Sequence, residues 1–473
     1  MSVIEQIVSA VNNFFWGKFF IYVLILVGLY FSFRTKFVQV RLFKDMVRLL
    51  GEGITDKEAK KKSVSSFQAF AMSTASRIGT GNLAGVAIAI SLGGPGAVFW
   101  MWIIAMIGAG SAFIESTLAQ IYKVKDTEGF RGGPAYYMEK ALNARWMGVI
   151  FAILISISFG LVFNAVQANT LTLAFEGAFN IERKWFGFII ALLVAIIIFG
   201  GVKRIARVAE VLVPVMAVGY LFVALFIIIT NITELPGVIA LIIKSAFGLE
   251  QAFGGGLGAV IMNGIKRGLF SNEAGMGSAP NAAAAAHVSH PVKQGLIQTL
   301  AVFTDTILVC SATAFIILMS GIVPEGNDGI QITQQALETQ VGGWAPAFVA
   351  IAILFFAFSS LISNYYYGET NIEFINAHPV FLHIYRVLAV AMIMFGSVAK
   401  IGLVWDLGDF FMAFMGLFNL IAILLLSKIA LVALDDYIKQ RKEGKNPTFH
   451  VSHIPGLKNV ECWGSYDDVK EKN

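Results

Sequence analysis

Two apolar stretches of the chain are interrupted at mid-length by polar, glycine-rich residues: Ser76-Arg77-Ile78-Gly79-Thr80-Gly81-Asn82 and, much later, Arg267-Gly268-Leu269-Phe270-Ser271-Asn272-Glu273-Ala274-Gly275. Hydrocarbon cannot hydrogen-bond a freed N–H or C=O, so unwound backbone at membrane depth persists only where it lines a cavity or is sealed in protein. Paired broken helices of this kind are a common way to hold a solute at the bilayer midplane. In the first break Gly79-Thr80-Gly81-Asn82 starts a new half-helix, so the amides of Thr80 and Gly81 face an anion with the helix dipole behind them. The preceding half-helix ends between Ala75 and Ile78, beside Ser76, and its last carbonyls lack intrahelical partners and suit a cation or an ammonium group. The segment therefore fits a zwitterion beside a cation such as sodium. Close helix packing, for which Gly81-x-x-x-Gly85 has the spacing, does not account for Ser, Arg, Thr and Asn together at membrane depth. A dinucleotide loop fits less well still, since Gly85 falls one place too late and no strand precedes it.

The second break carries Lys266, Arg267, Asn272 and Glu273 around Gly268 and Gly275. Charges in a span must face protein or water and pair, and Arg267 with Glu273, or Glu273 with Arg77, is the pairing expected. A moving gate and a static buried ion pair satisfy that argument equally. Phe270, Ser271, Asn272 and Gly275 are expected to form the wall opposite Gly79–Asn82. Further along, Ser359, Ser360 and Ser363 share one helical face. Their hydroxyls, added to the carbonyls of Ala75 and Ile78, make an oxygen cage of sodium size, against the alternative of serines bonded back to their own helix. Among Asn164, Gln167, Asn169 and Thr170, Gln167 is the one expected to line the pocket, although helix-to-helix bonding suits an amide as well. Asp305 is a second cation ligand, a proton carrier or a partner for an arginine. Glu115 is expected to pair with Lys or Arg near a helix end. His287 and His290 have no accompanying Cys or carboxylate cluster and do not read as a metal site. No serine–histidine–acid arrangement, nucleotide loop or redox motif stands out, so no enzyme is expected.

These residues need helices to carry them, and the composition supplies them. Of 473 residues, 57% are hydrophobic and 14% charged, where a soluble domain carries about a quarter charged. The net charge of +5 falls in short clusters between apolar runs, which reads as membrane topology and not nucleic-acid binding. Cys310 lies in an apolar run and Cys462 in a polar tail, so no disulfide framework is expected. With about 20 apolar residues per span, eleven helices are expected near 17–34, 66–92, 97–121, 146–175, 186–201, 207–230, 253–287, 293–321, 345–370, 384–402 and 408–434. Amphipathic pieces near 236–247 and 331–341 would cap the outer face. The first run has no basic region before it and no cleavage pattern after it, and reads as a retained helix.

The loop after the first helix holds Arg34, Lys36, Arg41, Lys44, Arg48, Lys57, Lys60, Lys61 and Lys62, while 322–344 has no Lys or Arg. The first is then cytoplasmic and the second outside, which puts the N-terminus outside and the C-terminus, with Lys439, Arg441, Lys442 and Lys445, in the cytoplasm. The broken helices are the second and seventh, five apart and antiparallel, the arrangement of a five-helix unit repeated with inverted topology. The expected organisation is an extra helix and basic loop over 1–64, a first repeat over 65–231, an outer connection over 232–252, a second repeat over 253–434 and a cytoplasmic tail over 435–473.

The stretch Gly93 to Gly108, GGPGAVFWMWIIAMIG, resembles the signature of the alanine or glycine:cation symporter family. GTGNLAGVA, GLFSNEAGMGSAPNAAAA and the C-terminal IPGLKNVECW are similar to that family as well. The resemblance covers nearly the whole chain. It implies an all-α, LeuT-like fold with an extra N-terminal helix, in which Gly79-Thr80-Gly81-Asn82 holds the substrate carboxylate and Asn82 touches a cation. It also implies that Ala75 and Ile78 carbonyls with Ser359 and Ser360 hydroxyls form the shared sodium site, and that Phe270 to Gly275 supplies the opposite wall. The expectation is a transporter in the cytoplasmic membrane that imports alanine or glycine with sodium, surrounded by lipid and binding no nucleic acid. Proton coupling through Asp305 or Glu273, and an amino-acid-gated channel or receptor, stand as alternatives.

Overall fold

The computed structural model describes residues 3–55, 63–127, 129–248, 256–322 and 329–464. Lys57, Lys60, Lys61 and Lys62, part of 322–344 and the start of the expected seventh span lie outside them. In chain order the described helices of more than four residues are α1 (Glu5–Arg34), α2 (Phe43–Thr55), α3 (Ser66–Arg77), α4 (Gly81–Gly93), α5 (Gly96–Ile121), α6 (Pro134–Leu142), α7 (Arg145–Phe179), α8 (Arg183–Ile198), α9 (Gly201–Thr230), α10 (Leu235–Ala246), α11 (Leu257–Asn272), α12 (Ala279–Ala285), α13 (Pro291–Met319), α14 (Gly329–Val341), α15 (Ala345–Ile375), α16 (Pro379–Val398) and α17 (Ile401–Lys442). Among the described residues a single hairpin, β1 (Val124–Asp126) and β2 (Gly129–Arg131), interrupts the helices. Among the described residues, eight helices are long and apolar enough to cross a membrane: α1, α5, α7, α9, α13, α15, α16 and α17.

The core is centred on α5, which packs against α1, α11, α12 and α13, while α7 packs against α15 and α16. Outward faces are apolar: Phe222 on α9 is 71% exposed, and Val211, Val215 and Val218 beside it are exposed too. Such a belt is stable against lipid and would be an aggregation surface in water.

Local signals set the helix ends that matter. Ser65 and Gln68 form a reciprocal capping box that starts α3 (Gln68 N to Ser65 Oγ 3.2 Å, Ser65 N to Gln68 Oε1 3.0 Å), satisfying two otherwise unpaired amides. His290 accepts from Val292 N at 3.2 Å at the head of α13 and faces Asp436 at 3.2 Å, so its role is a cap. Three wide π-helical turns, Gly81–Gly85, Ser158–Phe163 and Phe303–Cys310, fall on helices around the first break, as such turns often do at functional sites. The last helix runs on to Lys442 instead of stopping near 434.

Residues 444–464 fold back against the end of α5. Phe449 N donates to Ser289 O, and Trp463 Nε1 donates to Gln120 O at 2.7 Å. Beneath Trp463 lies Lys123, whose Nζ donates to Gln120 Oε1 (2.8 Å) and Ala286 O (2.9 Å) between the rings of Phe130 and Trp463 at 4.1 and 4.8 Å. Burial pushes the Lys123 ammonium down to about 7, only partly offset by Cys462. A released lysine keeps its proton to about pH 10.4, so between those values the undocked tail binds more protons and docking strengthens as pH rises. Hydrogen exchange through 446–463, corrected for its intrinsic pH dependence, is expected to slow by up to about tenfold per pH unit from about 7.5 to 9.5. Lys123→Met should flatten that dependence.

Candidate functional site

The first break is a gap in one helix: α3 ends at Arg77, and winding resumes at Gly81. Two of its freed amides are held by side chains, one from the break itself and one from α7. Gly79 N donates to Asn82 Oδ1 at 3.0 Å, and Thr80 N donates to Gln167 Oε1 of α7 at 3.0 Å. Asn82 Nδ2 in turn donates to Asp305 Oδ1 of α13 at 2.7 Å, and Ser271 Oγ of α11 donates to Asp305 Oδ2 at 2.8 Å. Asp305 thus ties the two breaks together and, among the described residues, bonds no arginine directly. Of the α7 amides, Asn164 donates to Leu361 O and Asn169 to Gly396 O and Ala399 O. They join helices, and Gln167 alone of the three reaches the break.

The oxygens at the end of α3 face α15. Ser360 Oγ lies 2.7 Å from Ala75 O and 3.5 Å from Ile78 O, and within hydrogen-bond range of Phe356 O at 3.0 Å. Ser359 is turned away, its Oγ 2.9 Å from Phe356 O and 3.6 Å from Met216 Sδ. Ser363 Oγ is buried with no hydrogen-bond partner among the described residues. Of the three serines expected on one face, the structure brings Ser360 to both carbonyls. Phe356 O is an added oxygen that the spacing argument did not reach.

At the second break α11 ends at Asn272, Glu273 adopts φ 56°, and Gly275 and Gly277 adopt φ 82° and 84° before α12 begins. Glycine adopts that left-handed backbone without steric cost, whereas glutamate is strained there. Two of the segment's amides, Gly275 N and Gly277 N, donate to the carboxylate of Glu115 at 3.1 and 3.0 Å. Asn419 of α17 donates to both Glu115 Oε2 (2.7 Å) and Gly275 O (2.8 Å), and Tyr137 bonds Asn419. The expectation that Glu115 pairs with a lysine or arginine is corrected: a buried carboxylate is the acceptor that unwound N–H groups require.

The expected Arg267–Glu273 pair is corrected as well. Arg267 Nη2 and Lys266 Nζ meet Asp409 Oδ2 of α17 at 2.5 and 2.9 Å, one helical turn and more from Glu273 on the other side of the break. Glu273 accepts from Ser76 Oγ (2.7 Å) and Ser278 Oγ (2.6 Å). Arg77 donates Nε to Asn272 O (2.7 Å) and Nη1 to Gln298 Oε1 (3.1 Å). Between these two polar layers Phe270 stacks on Phe163 at 4.6 Å and meets Trp405 at 4.6 Å, with the Arg267 guanidinium 4.7 Å above the indole. A wall of rings therefore closes over Gly81, with the Arg267–Asp409 pair behind it.

The profile of the sodium:alanine symporter family matches residues 1–451. The chain is 58% identical over 462 residues to the probable sodium/glutamine symporter GlnT of Bacillus subtilis, spanning 98% of this chain and 96% of that one. It is 56% identical over 471 residues to the amino-acid carrier protein AlsT of the same organism, spanning 100% and 99%. A solved Na+-coupled sialic acid symporter in a substrate-bound, outward-open state aligns with TM-score 0.52 and 16% identity over 87% of this chain and 84% of that one. MhsT with L-phenylalanine aligns with TM-score 0.51 and 16% identity over 79% and 88%. At that identity the likeness is one of fold, and the fold is LeuT-like.

Proposed function

The chain belongs to the sodium:alanine symporter family, a family of transporters and not of enzymes, and from that premise we propose that it imports small neutral amino acids, alanine and glycine, with sodium. The observation that carries the reading is the geometry at Gly79–Gly81. A backbone amide, Thr80 N, is presented at the interruption of a buried helix and held by the Gln167 amide oxygen, which a substrate carboxylate replaces. Ser76, Gly79, Gly81 and Asn82 line the same turn, with Ser271, Asn272 and Gly275 opposite. Sodium takes Ala75 O, Ile78 O and Ser360 Oγ, with Ser359 and Ser363 on the flank. Phe270, Phe163 and Trp405 leave space for a small side chain: a Cβ placed on Gly81 would already lie 3.2 Å from the Phe270 ring.

In this reading eleven spans cross the membrane, with α3–α4 and α11–α12 as discontinuous second and seventh spans. Part of one of the repeats over 65–231 and 253–434 rocks against the rest for alternating access, and the Arg267–Asp409 pair closes the outer side. The N-terminus lies outside and the tail in the cytoplasm.

The test is uptake of radiolabelled alanine into proteoliposomes with and without an inward sodium gradient, with unlabelled glycine and glutamine as competitors. Accumulation that requires sodium and is suppressed by glycine is the expected result. Equilibration without sodium overturns the coupling, and suppression by glutamine but not glycine overturns the substrate class.

A further inference from the structure

The turn that ends α1 gathers basic residues around one cavity. Thr35 stops the helix, its Oγ1 donating to Phe31 O at 2.8 Å, and Lys36 and Phe37 follow with φ 54° and 53°. Two consecutive side chains in the left-handed region are costly. The reversal they make is braced by Arg41, from the single helical turn Val38–Arg41, whose Nη2 donates to Thr35 O at 3.1 Å. Arg34, Lys36 and Arg41 thereby line one side of a cavity of about 270 Å³. The other side is α17, which runs on past residue 434 and presents Leu431, Asp435, Ile438 and Lys442. Those positions are three or four residues apart and share one helical face.

Four cations meet one carboxylate there, a surplus of three positive charges. Among the described residues none of the four is in an ion pair, whereas the nearby Arg48 and Arg441 are neutralised by Asp45 and Glu52 at 2.6 to 3.1 Å. Below the charges the lining is apolar, Leu431 and Ile438. At the same level Phe33 and Phe37 meet edge to face at 5.2 Å with both rings exposed. They continue the exposed stripe Tyr22, Leu26 and Tyr30 that α1 turns to lipid. The preference for basic residues on the cytoplasmic side explains which face of the membrane they occupy. It does not explain why residues 34–41 and residue 442 converge on one cavity. A free anion would gain nothing from the apolar lining, while an anionic phospholipid matches both the charge above and the hydrocarbon below.

We propose that this cavity binds the phosphodiester head group of an anionic phospholipid, in the leaflet that the proposed orientation makes cytoplasmic, with the acyl chains along α1 beside Phe33. The head group bridges α1, which lies outside the two repeats, to α17, the last helix of the second. The site is independent of the substrate and ion assignments, so its test reads binding and not transport. Native mass spectrometry of the full-length protein in detergent, with phosphatidylglycerol or phosphatidylcholine added, counts the bound lipids. The first phosphatidylglycerol is expected to bind at least tenfold more tightly than phosphatidylcholine. Arg34→Gln combined with Lys442→Gln should weaken phosphatidylglycerol by about 20-fold and leave phosphatidylcholine unchanged. Lys44→Gln combined with Lys439→Gln removes as many charges from the same side but outside the cavity, and should change phosphatidylglycerol binding by no more than about twofold. If the first double variant does not fold, Lys442→Gln alone, at an exposed helix end, should still weaken it by about fivefold. Equal affinity for the two lipids overturns the site. Equal losses in the two double variants overturn it as well, and assign the effect to diffuse surface charge. Displacement of phosphatidylglycerol by an equal concentration of inorganic phosphate makes the cavity a site for a free oxyanion and overturns the lipid assignment.

Discussion

Ser360→Ala is expected to raise the sodium concentration for half-maximal alanine uptake by roughly 10- to 100-fold, with the maximal rate recovered at high sodium. The hydroxyl sits 2.7 Å from Ala75 O and 3.5 Å from Ile78 O, and these carbonyls are left without helical partners where α3 stops. An ion placed among the three oxygens loses one ligand in the variant. A hydrogen bond or ligand contact to a charged group contributes about 1.5–3 kcal/mol, and each 1.4 kcal/mol is about tenfold in affinity. Because sodium and substrate affinities are linked, the apparent affinity for alanine at fixed low sodium should fall as well. Ser359→Ala is expected to shift the sodium curve less, since its hydroxyl reaches Phe356 O and Met216 Sδ and must rotate to meet the same ion. A larger effect at Ser359 than at Ser360, or none at either, would place the ion elsewhere.

That contrast marks where residue spacing stops being informative. Residues 359 and 360 project about 100° apart on a helix, and which of them meets the end of α3 depends on how α15 is rotated against it, a tertiary fact. The breaks themselves were legible because a glycine-rich polar run inside apolar sequence is costly at membrane depth unless it lines a cavity or is sealed in protein. Gln167 was legible for a similar reason, as an amide in an otherwise apolar helix. Glu115 and Asp409 were not read correctly or at all. Each is a single carboxylate whose partners lie more than a hundred residues away in the chain, so the nearest lysines and arginines in sequence were misleading guides. An available signal was the need of Gly275-x-Gly277 for an acceptor: two amides freed from a helix must find one, and a carboxylate in a neighbouring span is an obvious source. The aromatic wall had no such signal, because among 40 phenylalanines nothing in the sequence separates Phe163 from a lipid-facing ring.

Gly79→Ala is expected to lower alanine uptake by about 100-fold or more while the protein still reconstitutes as a folded, monodisperse species. The position is glycine for reasons of space. A Cβ there would fall 2.5 Å from Ser360 Oγ and 2.7 Å from Gln167 Oε1, both well inside contact distance. Those neighbours are the hydroxyl proposed for sodium and the amide oxygen that holds Thr80 N, so the methyl group displaces both halves of the site at once. Overpacking of this kind costs about 1–3 kcal/mol of stability, which a large helical bundle absorbs, whereas a shift of about 1 Å in a binding geometry can cost about 100-fold in rate. Gly85→Ala, on the π-helical turn that follows the gap, is the control: its Cβ would lie 3.5 Å from the Trp405 ring, an ordinary contact, and uptake should stay within about threefold of the parent. Size-exclusion profiles and sodium-dependent uptake of the two variants, measured side by side, separate a site effect from general crowding. If both lose uptake equally, the helix tolerates no added methyl and Gly79 has no special place. If Gly79→Ala transports normally, the carboxylate and sodium positions inferred around it are wrong together, because one added methyl touches both.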